Sequence, residues 1–216
     1  MITVPQAVKK VVERSRYLSE AMSKGLINLS SLARYMKPEV EEMLMKGVSQ
    51  ASIMMALKRL ETQLKPQIKY QDVFKTQPEM IVRSNLVEFT FSKSDDLKKQ
   101  LLKIFELYSN HPKYFFALSE GVTETTIITN QDLYNKIEEI IVKEKVISEF
   151  HNLSSITIRM PKEITYTPGV VYFFLKSLAW EGVNVIEVVS TYLELTVVLE
   201  DKDVNRAFAI LKSLFN

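Results

Sequence analysis

Residues 155–161 read Ser-Ile-Thr-Ile-Arg-Met-Pro, and residues 167–179 read Thr-Pro-Gly-Val-Val-Tyr-Phe-Phe-Leu-Lys-Ser-Leu-Ala. In the first stretch Ile156, Ile158 and Met160 alternate with polar residues, the period of a strand with one buried face. Pro168-Gly169 ends that pattern, and the second stretch predicts a helix running to Trp180. Residues 183–189 and 193–199 then read as a strand pair. Asp201 is placed to cap a last helix through Val204, Ala207, Phe208, Leu211 and Leu214. Such a run buries its apolar faces as an α+β sandwich, helices on one face of a mostly antiparallel sheet.

Working upstream, the same order recurs. Val87, Phe89 and Phe91 alternate as a strand, and Ser94 is placed to cap a helix over 95–109. Leu97, Leu101, Leu102, Ile104 and Phe105 are its expected buried side. Residues 114–119 and 122–129 form a strand pair turning at Glu120-Gly121, and Asn130 caps a helix through Leu133, Ile137, Ile140 and Ile141. An offset of 71 residues places Ser119 on Ser190, Thr125 on Thr196, Ile127 on Val198, Asp132 on Asp203, Ile137 on Phe208 and Ile140 on Leu211. Identities are few; element order and apolar phase carry the repeat. Residues 146–150 supply a fourth strand closing the first unit.

The first 66 residues read as helix. Pro5 suits a helix start, and Val8, Val11, Val12, Leu18 and Met22 keep helical spacing to Gly25. A short helix over 29–36 follows, then one opened by Pro38 and ending at Gly47, then one capped by Ser49 with Ile53, Leu57, Leu60 and Leu64 along a stripe. Residues 67–80, holding Pro78, form a connector with a short strand expected near Ile68–Tyr70. The expected division is therefore 1–66, 67–80, 81–152 and 153–216.

Composition removes several functions. The chain has no cysteine, which excludes disulfides, thiolate metal sites and cysteine nucleophiles. Its five glycines are never closer than the spacing of Gly169 and Gly182, which excludes a phosphate-cradling loop. His111 and His151 lack metal-ligand spacing. No cofactor, no membrane span and no catalytic motif is expected, and the N-terminus lacks an apolar core of signal-peptide length, so the expected compartment is the cytoplasm.

The stretches 155–161, 167–179, 181–191 (Glu-Gly-Val-Asn-Val-Ile-Glu-Val-Val-Ser-Thr), 195–203 (Leu-Thr-Val-Val-Leu-Glu-Asp-Lys-Asp) and 207–211 (Ala-Phe-Ala-Ile-Leu) together resemble an ACT domain. They are most similar to the C-terminal regulatory ACT domains of aspartate kinases, without the kinase domain. Residues 81–152 are a degenerate match and residues 1–80 lie outside it. The resemblance implies two ferredoxin-like βαββαβ units, pairing of ACT units in a homodimer, and binding of a small effector, an amino acid, at Thr167, Pro168, Gly169, Val170, Asn184, Val185 and Ile186. A glycine lets a ligand approach the backbone, and the helix N-terminus behind it favours a carboxylate. In the first repeat, Ser92-Lys-Ser-Asp-Asp-Leu lacks Pro-Gly and puts two acids at that place.

Two readings of the helical segment stand side by side. Residues 28–64 match a helix-turn-helix with Ser49, Gln50 and Ser52 at the start of a recognition helix and Arg34, Lys58 and Arg59 against phosphates. Residues 1–80 hold 13 basic against 8 acidic side chains, and residues 81–216 hold 15 against 18. The stretch 37–48 is longer than the tight turn of the simple motif, which favours a helical packing module instead. The function read from all this is a non-catalytic regulator sensing an amino acid, its helical module reporting the ligand state either to DNA, as a transcriptional regulator, or to a partner protein. The alternative is a protein-interaction or dimerisation scaffold that takes no ligand.

Overall fold

The computed structural model describes residues 2–64, 74, 76–110, 113–141 and 144–215. The chain forms two compact units, Met1–Lys69 and Tyr70–Asn216. The strand expected near Ile68–Tyr70, and His111, lie outside the described residues.

The first unit holds α1 (Val4–Arg14), α2 (Arg16–Ser23), α3 (Leu29–Leu44) and α4 (Gln50–Gln63). Val8, Val12, Met22, Ala33, Met36, Val40, Ile53 and Leu57 form its core. Three boundaries differ from the sequence reading. The helix expected to run to Gly25 breaks at Ser15, which takes an extended backbone and accepts the Leu18 N–H at 3.4 Å. Serine competes for backbone donors in this way and favours caps over helix interiors. Conversely, the helix expected to stop at Met36 runs straight through Pro38. Proline removes one backbone bond there, but Leu32, Ala33, Met36 and Val40 stay in phase on the buried side, and their burial outweighs it. The helix then ends at Leu44, before Gly47, with Met45 in the left-handed region at φ 53°.

The second unit is α+β. Its elements are β1 (Met80–Ser92), α5 (Asp95–Ser109), β2 (Phe116–Glu120), β3 (Glu124–Asn130), α6 (Gln131–Ile140), β4 (Val146–Arg159), α7 (Val170–Trp180), β5 (Glu187–Ser190), β6 (Glu194–Glu200) and α8 (Val204–Ser213). The six strands among the described residues form one antiparallel sheet in the order β2-β3-β1-β4-β6-β5. The strand read at 146–150 and the strand read at 155–160 are the single strand β4, which crosses the expected 152/153 boundary without a break. It pairs with β1 along nearly the full length of both.

The two halves of this unit are related by a repeat, and the sheet register corrects its offset. Thr90 and Thr126 face each other with hydroxyls 2.8 Å apart, and so do Thr157 and Thr196. β3 therefore matches β6 at an offset of 70, not 71, with Thr126 on Thr196, Ile127 on Val197 and Ile128 on Val198. A slip of one residue sends every side chain to the other face. The offset of 71 placed Ile127, which faces the helices, on Val198, which does not.

β1 matches β4 with Leu86 on Leu153. Each strand carries an asparagine in the left-handed region just before that leucine, Asn85 at φ 59° and Asn152 at φ 54°. Asparagine tolerates this conformation better than other side chains, and β1 shifts register there against β4. The half of each long strand beyond its asparagine is buried on both faces, whereas the half before it is largely exposed.

The helices α5, α6, α7 and α8 cover one face. Val87, Phe89, Phe91 and Ile127 meet α5 and α6; Ile156, Ile158, Leu195, Val197 and Leu199 meet α7 and α8. Leu102 and Phe105 do not join them. They are exposed on α5, because a helix against a flat sheet buries only the stripe through Leu97, Leu101 and Ile104. On the opposite face Leu86, Leu153, Ile128 and Val198 form a small cluster with Phe115, Ala117, Ile186 and Val189 from the two ends of the sheet. The sheet thus coils, bringing edge strands β2 and β5 together over that face.

Two expected caps act otherwise. Asn130 precedes α6, but its side-chain oxygen accepts the Phe115 N–H at 2.8 Å. Asp201 opens a short 3₁₀ turn and receives the Ser154 hydroxyl, and α8 begins after Asp203.

Candidate effector site

The connection from β4 to α7 is the most distinctive local feature of the second repeat. Pro161 stops the strand, a 3₁₀ helix follows over Lys162–Tyr166, and Gly169 takes φ 85° at the position before α7. A residue with a Cβ is strained there. Glycine has no side chain to cap the helix, and the first turn of α7 carries the positive end of the helix dipole.

Beside this turn lies an open cleft of about 400 Å³. Met160, Ile164 and Leu195 give it an apolar floor, Thr167, Gly169, Val170 and Val171 one wall, and Ser190, Thr191, Tyr192 and Glu194 of the β5–β6 turn the other. The turn is fixed by Met160 N–H on Leu193 O at 2.7 Å and Thr191 N–H on Glu194 O at 2.9 Å. Among the described residues the Glu194 carboxylate has no ion pair. The N-terminus of α7 opens onto an apolar floor, with Glu194 on the bordering turn, which complements a small molecule carrying a carboxylate.

Of the residues singled out from sequence, Thr167, Gly169 and Val170 line this cleft, and Pro168 stands between them in the chain. The Thr167 hydroxyl donates to Glu163 O at 3.1 Å, holding the 3₁₀ helix instead of capping α7. Asn184, Val185 and Ile186 are not in the cleft. They precede β5, at the opposite end of that strand from Ser190, and the Ile186 N–H is spent on Val198 O at 2.8 Å. Tyr192 and Glu194, which the sequence does not single out, also line the cleft. Their signal was the second strand turn itself, which antiparallel geometry places beside the end of β4.

The matching position in the first repeat is filled by the chain. Only Lys93 and Ser94 separate β1 from α5. Lys93 donates its N–H to Thr123 O at 2.9 Å, and its Nζ sits 2.6 Å from Glu120. Ser94 caps α5 through the Leu97 N–H at 2.8 Å and donates its hydroxyl to Glu144 at 2.8 Å.

In the helical unit, Ser49 accepts the Ser52 N–H at 3.1 Å and shares a 2.8 Å contact with the Ser52 hydroxyl. Gln50 ties α4 to the start of α3 by donating to Ser30 O at 3.0 Å. These three side chains are engaged within the unit. Arg34, Lys58 and Arg59 are exposed.

Comparison with solved structures gives the sheet its relatives. The regulatory subunit of aspartate kinase from Thermus flavus matches with a TM-score of 0.50 at 11% identity, over 66% of this chain and 100% of that one. The chain contains the fold of an aspartate kinase regulatory subunit. A structure of aspartokinase alpha and beta subunits aligns with a TM-score of 0.50 at 14% identity, over 63% of this chain and 97% of that one. An aspartate kinase from Clostridium acetobutylicum, described as an allosteric enzyme, gives a TM-score of 0.54 at 17% identity. That alignment covers 66% of this chain but 35% of the kinase, so the chain spans about a third of that enzyme's length. No protein-family model and no curated protein sequence matches the chain. Among the described residues, no helix is long and apolar enough to cross a membrane.

Proposed function

We propose that this protein is a non-catalytic regulator whose sheet unit senses an amino acid in the cleft between Gly169 and the β5–β6 turn. The observation that carries it is the N-terminus of α7, with no side-chain cap, opening onto an apolar floor in a cleft that Glu194 also borders. On this reading an effector carboxylate meets the helix end, its ammonium meets Glu194, and its side chain rests on Met160, Ile164 and Leu195. The sheet is read as two interlocked ferredoxin-like units. The first takes its fourth strand from the start of β4, and the second takes its fourth strand from the start of β1. The first is a scaffold, since Lys93 and Ser94 fill its equivalent position.

The helical unit then reports the ligand state to a partner. If that partner is DNA, Arg34, Lys58 and Arg59 meet phosphates, while Ser49, Gln50 and Ser52 shape the unit instead of reading bases. Two copies would pair through their sheet units.

A thermal-shift screen of the twenty amino acids tests the sensor reading, because a ligand that binds only the folded state raises the midpoint by mass action. Stabilisation of the wild type by one or a few of them, absent in Gly169→Asp, supports it. No stabilisation by any of them leaves the interaction-scaffold reading in its place.

A further inference from the structure

Helix α4 of the first unit presents a face that the packing of the unit does not use. Over Gln50–Gln63 the buried side chains are Ile53, Ala56, Leu57 and Leu60. At 3.6 residues per turn, Ala51, Ser52, Met55, Lys58, Arg59 and Thr62 fall together on the opposite side, and all six are exposed. Met55, at the centre of this face, is 49% exposed. The one acid of the helix, Glu61, is half-buried and lies off the face, in line with Met54.

The charges on this face are unmatched. No acidic residue occurs between Glu42 and Glu61 in the chain. Among the described residues, the side chains of Lys58 and Arg59 have neither an ion pair nor a hydrogen bond, and Arg34 of α3, against which α4 packs, is a third such exposed cation. By contrast, four cations outside α4 are each paired with an acid: Lys9 with Glu13, Arg14 with Glu39, Lys24 with Glu20 and Lys37 with Glu41. A solvated surface ordinarily intersperses both signs. This face carries one sign around an exposed methionine.

We propose that the exposed face of α4 enters the major groove of duplex DNA, with Ala51 and Met55 against base edges and Lys58 and Arg59 on phosphates. It rests on reading the helical unit as the reporting module, and it names the partner and the side chains that touch it. The major groove of B-form DNA is about 12 Å wide and admits an α-helix. Small side chains in the first turn let the helix end approach the bases, and apolar ones such as Ala51 and Met55 suit the methyl group of thymine. Lys58 stands about 10 Å along the axis from Ala51, where a helix entering by its N-terminal turn meets the bordering backbone. The positive end of the helix dipole points the same way. An acidic protein surface would match the cations too, and it is the alternative that the experiment separates.

The probe is a labelled, mixed-sequence DNA duplex titrated with the full chain and read by fluorescence anisotropy at about 50 and 200 mM salt, with and without a mixture of the twenty amino acids. Neutralising two phosphates gives a log–log salt slope of at least about 1.8 in magnitude, so affinity should fall at least about twelvefold between those salts. Lys58→Ala and Arg59→Ala should each lower that slope by about 0.9 per bound chain. Met55→Glu, which puts an acid at the exposed centre of the face, should weaken binding at least about tenfold. Lys10→Ala removes an exposed cation of α1 and should change affinity by less than about twofold. Duplex RNA, whose major groove side chains cannot read, should bind at least about tenfold more weakly. The proposal is overturned if DNA binds in neither amino-acid arm, if Lys10→Ala weakens binding as much as Lys58→Ala, if Met55→Glu binds as well as the wild type, or if duplex RNA or polyglutamate binds as tightly as DNA. Tight polyglutamate binding would assign the face to an acidic protein instead. The sensor reading is decided by amino-acid titration, so the two can fail separately.

Discussion

Replacing Glu88 by glutamine is predicted to stabilise the protein at alkaline pH and to leave it nearly unchanged at acidic pH. The buried carboxyl is raised from 4.5 to about 7, by burial and then by Glu187. Between those values the folded chain holds a proton that the unfolded chain has released. The folded state thus binds more protons, and stability falls as pH rises through that window. Each pH unit of that window corresponds to about 1.4 kcal/mol, so the ionised Glu88 costs the folded state about 3 kcal/mol once pH exceeds 7. Glutamine has nearly the same shape and stays neutral throughout. At pH 8.5 the Glu88→Gln protein should be about 3 kcal/mol more stable, roughly 6–12 °C in Tm for a chain of this size. At pH 4.5 the two proteins should agree within about 0.5 kcal/mol. Scanning calorimetry of both proteins at both pH values measures this. A difference independent of pH, or a variant no more stable than the wild type at pH 8.5, refutes the reasoning.

Asn152→Gly should be tolerated, whereas Asn152→Val should cost about 1–2 kcal/mol in urea denaturation, because only the valine is strained at positive φ. Pro38→Ala should stabilise the helical unit by up to about 3 kcal/mol by restoring a backbone bond within α3, read from its thermal transition. Ser94→Ala should destabilise the sheet unit by about 1 kcal/mol in the same assay through loss of the α5 cap.

The order of elements was legible because strands and helices leave different periods. Val87, Phe89 and Phe91 alternate, while Leu97, Leu101 and Ile104 recur at helical spacing, and these six are buried, although Leu102 and Phe105, expected on the same side, are not. The repeat was legible in outline and misplaced by one residue. Threonine and β-branched residues occupy both faces of β3 and β6, so alternation alone did not fix the face, whereas the paired threonine hydroxyls do. That β4 is a single strand was hidden by Asn152, whose left-handed turn reads as a boundary in sequence and acts as a bend in the sheet.

The half of the site near Gly169 was legible because a glycine before a helical run has a distinct physical meaning. Tyr192 and Glu194 were not, since their approach to Met160 depends on strand pairing far apart in the chain. Glu88 looked like an ordinary solvent-facing residue of an alternating strand. The second face of the sheet is itself covered, by a cluster with Ala117 and Val189 from the sheet's ends, and Glu88 is buried on that face.

The claim that the β4–α7 turn is an effector site is tested most directly by calorimetric titration of each of the twenty amino acids into the wild type, Gly169→Asp and Glu194→Gln. The account predicts saturable binding of one or a few of them to the wild type, none to Gly169→Asp, and affinity reduced at least about tenfold in Glu194→Gln. Absence of binding by all twenty, or binding that both variants retain at full strength, would contradict it.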